Sequence, residues 1–251
     1  MTKLLAPVSL ANSLIASLPR SARELVGSAC GTVELVAGEI VYEAGDKIQR
    51  VYFPTSSYIS LITPAGASES LEVGMVGNEG MFGITVLLDV NTSPLQGLVQ
   101  GAGYALHMGV SRFVQLAKDV QPFRKVVNRY LYVLTAQLAQ TAACNRYHSL
   151  DSRLARWLLM TRDRAMSDTF YLTHKFLAYM LGVRRAGITE AAGRLQAKKL
   201  IRYHHGQLTL LDRRGLEGVS CPCYAALNTT YTKHLSRPRL PAVLPLTHRL
   251  M

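Results

Sequence analysis

The hydrophobic pattern changes its period once, near Ser111, and this change divides the chain into two parts of different structure. From Val33 to residue 110, short runs of β-branched and aromatic residues alternate with turn residues, and glycines recur throughout. Strands at such close, regular spacing are typical of a β-barrel or β-roll. After Ser111, apolar residues recur every three or four positions, which is the period of an α-helix. The sequence therefore predicts an α+β protein in which an antiparallel β domain precedes a helical region.

The first helical segment carries an apolar seam with the spacing of a coiled coil. The members of this seam alternate at intervals of four and three: Val127, Leu131, Leu134 and Leu138. A second stripe, which includes Tyr130 and Val133, runs beside the first one. We expect one stripe to pack on the β domain and the other to meet the same helix of a second chain. The alternative is a single helix that is buried wholly within its own core.

Residues 172–212 have the pattern of a helix-turn-helix followed by a β-hairpin. Thr173 is a good N-cap for a first helix, and Gly182 is a suitable residue to end it. A second helix is expected from Arg184 to Ala197, and its apolar residues fall on one face. Two short strands then flank a turn at 204–206. Two tightly joined helices followed by a hairpin indicate a winged helix-turn-helix.

The second of these helices has the side chains that a DNA-reading helix needs. Arginine at its N-terminal end can contact guanine through two hydrogen bonds in the major groove. Arg202, on the strand that leads into the wing, is a candidate phosphate contact. Glu190 is either a base contact or a partner of Arg194, four residues further along the helix. The full set of candidate DNA contacts is Thr173, Arg184, Arg185, Thr189, Glu190, Arg194 and Arg202.

The charges are divided unevenly between the two parts of the chain. Residues 1–110 contain five Lys/Arg and nine Asp/Glu, whereas residues 111–251 contain 23 Lys/Arg and seven Asp/Glu. The formal net charge of +12 therefore comes from the C-terminal half alone. A basic half of this kind favours a polyanionic partner such as double-stranded DNA over a merely solvated surface.

Cysteine usage and hydropathy bear on location and on metal chemistry. The four cysteines, Cys30, Cys144, Cys221 and Cys223, are too few and too scattered for a disulfide framework. The N-terminal run 4–18 is shorter than the roughly 20 apolar residues of a membrane span. We therefore expect a cytoplasmic protein without a membrane anchor. Cys221 and Cys223 are one residue closer than the usual C-x-x-C spacing, and we expect no second ligand pair near them, so we interpret them as structural or incidental and expect no metal site.

Three segments give the chain a resemblance to a known family, the cyclic-AMP receptor protein / fumarate-nitrate regulator (Crp/Fnr) family. The winged helix-turn-helix together with CNRYHSLDSRLARWLLMTRDR is similar to the DNA-binding part of that family. GEIVYEAGDKIQRVYFPTSSYISL resembles the strands of its β-roll, and GNEGMFGITVLL resembles a later Gly-rich segment. The resemblance covers roughly residues 10–225. It implies an effector-sensing β-roll, a long dimerisation helix, and a homodimer that binds palindromic DNA and contacts RNA polymerase.

The sequence departs from the resembled family at the effector site. Cyclic-nucleotide binders of this family carry Gly-Glu for the ribose and Arg-Ser or Arg-Thr for the phosphate. Here Gly83 is followed by Ile84, and Thr92-Ser93 follows an asparagine in place of the arginine. A buried phosphate without a cation loses several kcal/mol of solvation, so we expect no cyclic nucleotide to bind. The effector is therefore unknown.

No cofactor is expected from the remaining residues. The iron–sulfur branch of the family uses several N-terminal cysteines, and only Cys30 is available in that part of this sequence. His107 is the sole histidine before residue 148, so we interpret it as structural and not as a haem ligand. A cupin-like enzyme would need several metal-binding histidines on the strands, and no Ser-His-Asp, Cys-His or phosphate-loop motif is present. The protein is therefore not expected to be an enzyme.

These observations predict a transcription regulator with four parts. Residues 1–111 form the cyclic-nucleotide-binding-like β-roll, 112–145 the dimerisation helix, 146–225 the winged helix-turn-helix, and 226–251 a disordered tail. An alternative interpretation is a sensor module that binds a small molecule or a partner protein and has a secondary, vestigial DNA-binding domain. The basic C-terminal half and the intact wing favour the regulator.

Overall fold

The N-terminal part of the protein is an antiparallel β domain preceded by two short helices. The computed structural model describes residues 12–64, 66 and 69–235. Helices α1 (Ser13–Ala16) and α2 (Arg20–Ser28) come first. The strands that follow are β1 (Gly31–Leu35), β2 (Ile40–Tyr42), β3 (Arg50–Pro54), β4 (Tyr58–Pro64), β5 (Ser70–Val76), β6 (Gln96–Gly101) and β7 (Gly103–Gly109). A 3-10 turn at Ile84–Leu88 lies between β5 and β6.

These strands form two sheets around one core. The sheets have the orders β1-β7-β3 and β2-β6-β4-β5, and every pairing is antiparallel. Phe53 on β3, Ile59 on β4 and Met75 on β5 are fully buried. Side chains alternate across a strand, so inward apolar residues from both sheets interleave between them. The expected antiparallel β domain is confirmed.

The helical region begins with two helices where the sequence predicted one over 112–145. Helix α3 covers Val110–Asp119 and α4 covers Gln121–Tyr147. The chain is extended at Val120, which is the C-cap of α3 and the N-cap of α4. Pro122 lies in the first turn of α4 and has no backbone N–H to donate to a carbonyl of the turn before it. Proline is therefore tolerated at the start of a helix but not in its interior. The prediction of one continuous helix is therefore wrong, although α4 alone is 27 residues long.

The burial of α4 also corrects the expected dimer seam. Val127 is 0% exposed and Leu134 is 8% exposed, because β5, α3 and α9 pack on this helix. These two residues therefore belong to the core of their own chain. Leu131 and Leu138 are only half-buried. They lie on a stripe that includes exposed residues and repeats at intervals of three and four: Asn128, Leu131, Thr135, Leu138 and Ala142.

The C-terminal elements form a helix-turn-helix with a three-stranded wing. They are α5 (Leu150–Ala165), β8 (Thr169–Tyr171), α6 (His174–Leu181), α7 (Arg185–Ala197), β9 (Ile201–His204), β10 (Gln207–Leu210) and α8 (Arg213–Val219). The wing sheet has the order β8-β10-β9 and is antiparallel. The expected fold class, with its winged helix-turn-helix, is confirmed. The strand β8 was not predicted.

A last helix occupies part of the segment that was predicted to be a disordered tail. Helix α9 covers Cys223–His234 and packs along α4. Leu227, Tyr231 and Leu235 recur at helical spacing and are buried. The prediction is therefore wrong for residues 226–234, where this apolar stripe was overlooked. Residues 236–251 lie outside the described part of the chain.

The winged helix-turn-helix domain packs directly against the β domain. Trp157 on α5 donates a hydrogen bond of 3.0 Å from Nε1 to Glu72 on β5. Arg164 on α5 forms an ion pair of 2.7 Å with Glu79, and both side chains are buried. Leu71 on β5 contacts the turn between α6 and α7. Within the described residues, no helix has the length and hydropathy that crossing a membrane requires.

Candidate DNA-binding surface and sensor pocket

The turn between α6 and α7 is fixed by caps at both ends of α6. The Thr173 side chain accepts a hydrogen bond of 3.1 Å from the Phe176 backbone N–H. Gly182 has φ +62°, the left-handed conformation that glycine adopts without strain. Arg153 of α5 donates to the Leu181 carbonyl, which has no partner within the helix. Thr173 therefore fixes the start of α6, and nothing in this geometry gives it a DNA contact.

Helix α7 is held by its apolar face, which leaves its other face exposed. Ile188, Ala191 and Leu195 are buried. Gly187 lies against Leu150 of α5, so that an added Cβ would come within 3.1 Å of the leucine side chain. The small residue therefore lets the N-terminal half of α7 lie close to α5 and sets the angle at which α7 leaves the domain.

The exposed face of α7 and the neighbouring segments carry unpaired positive charge. Arg184 is the N-cap of α7 and Arg185 is its first residue, and both side chains are exposed. Arg202 is exposed on β9. Three lysines that the sequence analysis did not single out are also exposed, one on α6 and two at the C-terminal end of α7: Lys175, Lys198 and Lys199. None of these six side chains forms an ion pair with another described residue. Charge that is unpaired within the chain is available to phosphates.

Three of the expected contact residues are engaged within the protein. Arg194 forms two hydrogen bonds of 2.7 Å with the Asp151 carboxylate of α5, which holds the pKa of Asp151 below its usual range. Glu190 lies 3.6 Å from Arg194, which is the helical pairing considered above. Thr189 donates to the Arg185 carbonyl and lies 2.9 Å from Nδ1 of His174. Arg194 and Thr189 therefore hold α7 to its own domain, and Arg194 is not among the DNA contacts proposed below.

A stacked pair of rings joins the helix-turn-helix to the wing. The rings of His174 and Tyr203 are stacked, with centroids 4.4 Å apart. The Tyr203 hydroxyl donates to the Leu172 carbonyl, and its backbone N–H donates to the Gln196 side chain on α7. Burial, followed by the charge of Arg185, lowers the pKa of His174 and favours the neutral ring. The sequence analysis missed this pair, for which the only signal was an aromatic residue in the hairpin.

Three of the four residues expected at the degenerate effector site line a small apolar cavity. Gly83, with φ +90°, and Ile84 and Ser93 line it together with Leu134 of α4, and its volume is about 40 Å³. The Ser93 hydroxyl donates to the Leu95 carbonyl, and Thr92 is exposed outside the cavity. The lining contains no charged residue. Sites for drug-sized ligands measure about 300–1,000 Å³ and carry polar groups that orient the ligand.

The cysteine pair near the C-terminus is not isolated in space. Cys221 and Cys223 lie beside Cys144 and His148 of α4, and the four ligand atoms are all within 4.8 Å of one another. The prediction that this pair has no second ligand pair nearby is therefore wrong. Sequence spacing could not show the group, because 73 residues separate His148 from Cys221 and only the packing of α9 on α4 brings them together.

Comparison with known proteins gives the same assignment for the DNA-binding part. Residues 152–219 match the Crp-like helix-turn-helix domain. The global nitrogen regulator of Nostoc sp. is 24% identical over 179 residues, which covers 68% of this chain and 80% of that protein.

Solved structures extend the likeness to the whole fold. A protein from Eubacterium rectale that is assigned to the Crp/Fnr family superposes with a TM-score of 0.65 at 17% identity, over 82% of this chain and 96% of that one. The c-di-GMP-responsive global regulator CLP of Xanthomonas campestris superposes with a TM-score of 0.64 at 14% identity, over 77% of this chain and 100% of that one. The chain therefore carries a Crp-like helix-turn-helix domain, and its β domain, long helix and helix-turn-helix are arranged as in solved structures assigned to the Crp/Fnr family of transcription regulators.

Proposed function

We propose that the protein binds a palindromic operator as a homodimer, with Arg184 and Arg185 entering the major groove. The observation that carries this proposal is that Arg184 and Arg185, at the N-terminal end of α7, are exposed and form no ion pair with another described residue, whereas Arg194 further along the helix is bound to Asp151 of α5. A helix enters the major groove with this end in helix-turn-helix proteins. Arg202 and the neighbouring lysines then lie at the edge of the same surface and are suited to phosphates.

The exposed stripe of α4 supports the dimer. Leu131 and Leu138 are half-buried beside exposed Asn128, Thr135 and Ala142. Intervals of three and four place these residues along one line of the helix, which is the seam of a two-stranded coiled coil. Two copies related by a twofold axis would present two recognition helices, and their half-sites would lie about 34–36 Å apart. The further proposal that such a dimer contacts RNA polymerase rests on the family resemblance.

We also propose that the effector is not a cyclic nucleotide. The cavity at Gly83 and Ile84 is apolar, and its volume of about 40 Å³ is close to that of one or two water molecules. A cyclic phosphate placed there would have no cation to offset its lost solvation. Four residues, Gly83, Ile84, Thr92 and Ser93, therefore mark the place of an effector site that has lost its nucleotide ligands.

Selection of bound fragments from random duplex DNA tests the operator proposal. We expect an enriched palindrome whose half-sites are separated by one helical turn, and a mass of two chains per duplex from light scattering. The variant Arg185→Ala should enrich a palindrome with relaxed preference at one base pair of each half-site, whereas Arg112→Ala, at an exposed arginine on α3, should enrich the wild-type sequence unchanged. Enrichment of a single, non-repeated half-site would contradict the dimer, and no enrichment at all would contradict sequence-specific binding.

A further inference from the structure

Three thiols and one imidazole meet where the DNA-binding domain returns to α4. Cys144 and Cys221 have their sulfur atoms 3.4 Å apart, and Cys223 Sγ lies 3.4 Å from His148 Nδ1. All four ligand atoms lie within 4.8 Å of one another. The three cysteines are buried, and they form a cluster separate from the main apolar core.

The fold supplies this group from two directions. Cys144 and His148 are four residues apart, so they lie on the same side at the end of α4. Cys221 and Cys223 flank Pro222, which is the N-cap of α9. The Tyr224 backbone N–H donates to the Cys221 carbonyl, closing a tight turn that keeps both sulfur atoms on the α4 side. Packing of α9 along α4 then brings the two pairs together.

We propose that Cys144, His148, Cys221 and Cys223 bind one Zn²⁺ ion. Structural zinc sites are almost always tetrahedral with Cys and His ligands, and Cys₃His is one of the recurring sets. Zn–S bonds of about 2.3 Å place tetrahedral ligand atoms about 3.7 Å from each other. The two 3.4 Å separations, Cys144 Sγ–Cys221 Sγ and Cys223 Sγ–His148 Nδ1, and the upper limit of 4.8 Å for all pairs bracket this value. The three cysteines are buried and His148 is half-buried, and four protein ligands leave no open position for a substrate.

The surroundings match the charge of such a complex. Zn²⁺ with three thiolates carries a net charge of −1, and its binding releases the thiol protons. Arg153 and Arg156 lie close enough to Cys144 to interact with it electrostatically. The Nε atoms of both arginines are buried without a hydrogen-bond partner. Gln140 Nε2 donates a hydrogen bond of 3.1 Å to Cys223 Sγ, the kind of contact that orients a metal-bound thiolate.

The alternative to zinc binding is a disulfide bond between Cys144 and Cys221. Cys144 and Cys221 are close enough to be oxidised to one by an external oxidant, with loss of two electrons and two protons. A disulfide would use two of the four groups and leave Cys223 and His148 without a role. Convergence of all four groups favours the ion, and the experiment below separates the two outcomes.

The ion would fasten the end of α4 to the exit of the DNA-binding domain. Removing it should loosen α9 from α4 and lower the affinity of the protein for its operator. This regulatory consequence rests on the proposed function, whereas zinc binding itself does not.

The test measures metal in the full-length protein purified under reducing conditions from zinc-supplemented cells. We expect about one zinc per chain, and a strong chelator should remove it and lower the melting temperature. Titration of the apoprotein with Co²⁺ should give the visible absorption of tetrahedral cobalt with thiolate ligands. Cys221→Ser and His148→Ala should lose zinc, whereas Cys30→Ser should keep it, since Cys30 lies outside the cluster. Gln140→Ala should weaken zinc affinity by about 10–100-fold.

Two results would overturn the proposal. The first is a wild-type protein that holds no more zinc than Cys221→Ser and gives no cobalt–thiolate absorption. The second is peptide mapping that finds a Cys144–Cys221 disulfide in the zinc-treated, reduced protein. Because the cobalt titration uses wild-type protein, it remains informative if a cysteine variant fails to fold. Loss of DNA binding with zinc retained would count against the proposed operator function and not against the metal site.

Discussion

The indole N–H of Trp157 donates a 3.0 Å hydrogen bond to the carboxylate of Glu72, across the contact between the DNA-binding domain and the β domain. Glu72 also accepts from the Ser60 hydroxyl, and the positive charges of Arg164 and Arg156 lie nearby. Burial outweighs these favourable contacts and raises the pKa of Glu72 to about 7. The carboxyl group therefore ionises near neutral pH while it is part of this contact.

Glu72→Gln should remove a pH dependence of stability. The folded protein keeps the Glu72 proton up to about pH 7, whereas the unfolded chain loses it near pH 4.5. The free energy of unfolding should therefore fall as the pH rises through this window, by roughly 3 kcal/mol at most. Denaturant melts of the wild type and Glu72→Gln between pH 5 and 8 measure the difference. Glu69→Gln, at an exposed carboxyl on the approach to β5, is the control and should leave the dependence intact.

Arg185 and Arg202 should affect DNA binding in different ways. Loss of a guanine contact in Arg185→Ala should cost about 1–3 kcal/mol on the selected operator and relax preference at one base pair of each half-site. Arg202→Ala should weaken all duplexes alike and reduce the slope of log affinity against log salt by about one unit per site. Binding to selected and scrambled duplexes over a salt series separates the two. Equal weakening of both duplexes by Arg185→Ala would place the recognition surface elsewhere.

The Arg194–Asp151 contact should support stability without reading sequence. Arg194→Ala should lower the melting temperature slightly and leave the selected operator unchanged. The pKa of Asp151 is lowered by Arg194, so this contribution is present at neutral pH and disappears as the pH falls below the usual carboxyl range. A double-mutant cycle with Asp151→Asn, followed by thermal melting at pH 7 and pH 3, measures it. An altered operator in Arg194→Ala would restore this residue as a DNA contact.

Leu131 and Leu138 should form the dimer contact, whereas Leu134 should not. Leu131→Asp combined with Leu138→Asp would place charge in the proposed seam and should yield folded monomers. Leu134→Ala removes a buried side chain and should cost about 2–5 kcal/mol of stability while the dimer persists. Light scattering measures the oligomeric state of each variant, and thermal melting followed by circular dichroism measures its stability. A dimeric double variant would show that the interface lies on another face.

Cyclic AMP and cyclic GMP should leave the melting temperature unchanged. A ligand at 100 times its dissociation constant adds about 2.7 kcal/mol to stability, which thermal melting detects readily. Each nucleotide is titrated to millimolar concentration, and zinc under reducing conditions serves as a ligand that should shift the transition. A dose-dependent shift with either nucleotide would contradict the apolar character assigned to the cavity at Ile84.

Local signals made the elements and the family predictable, whereas long-range packing did not follow from them. Thr173 and Gly182 marked the ends of α6 because capping depends on a few neighbouring residues. The match of residues 152–219 to the Crp-like helix-turn-helix domain agrees with the expectation of a DNA-binding regulator. The helical spacing on α4 could not show which stripe is internal, because that depends on where α9 and β5 lie. The Cys144–Cys221 contact and the Arg194–Asp151 pair were missed for the same reason, since each joins residues far apart in the sequence.

Helix α9 gives the DNA-binding domain a second attachment to α4. The chain enters the domain after Tyr147 and leaves it at Cys221, and Leu227 and Tyr231 then run back along α4. A domain that is attached to α4 at both its entry and its exit is held to that helix more firmly than a domain attached at one end. A displacement of α4 should therefore carry the whole helix-turn-helix domain, and α7 with it, to a new position.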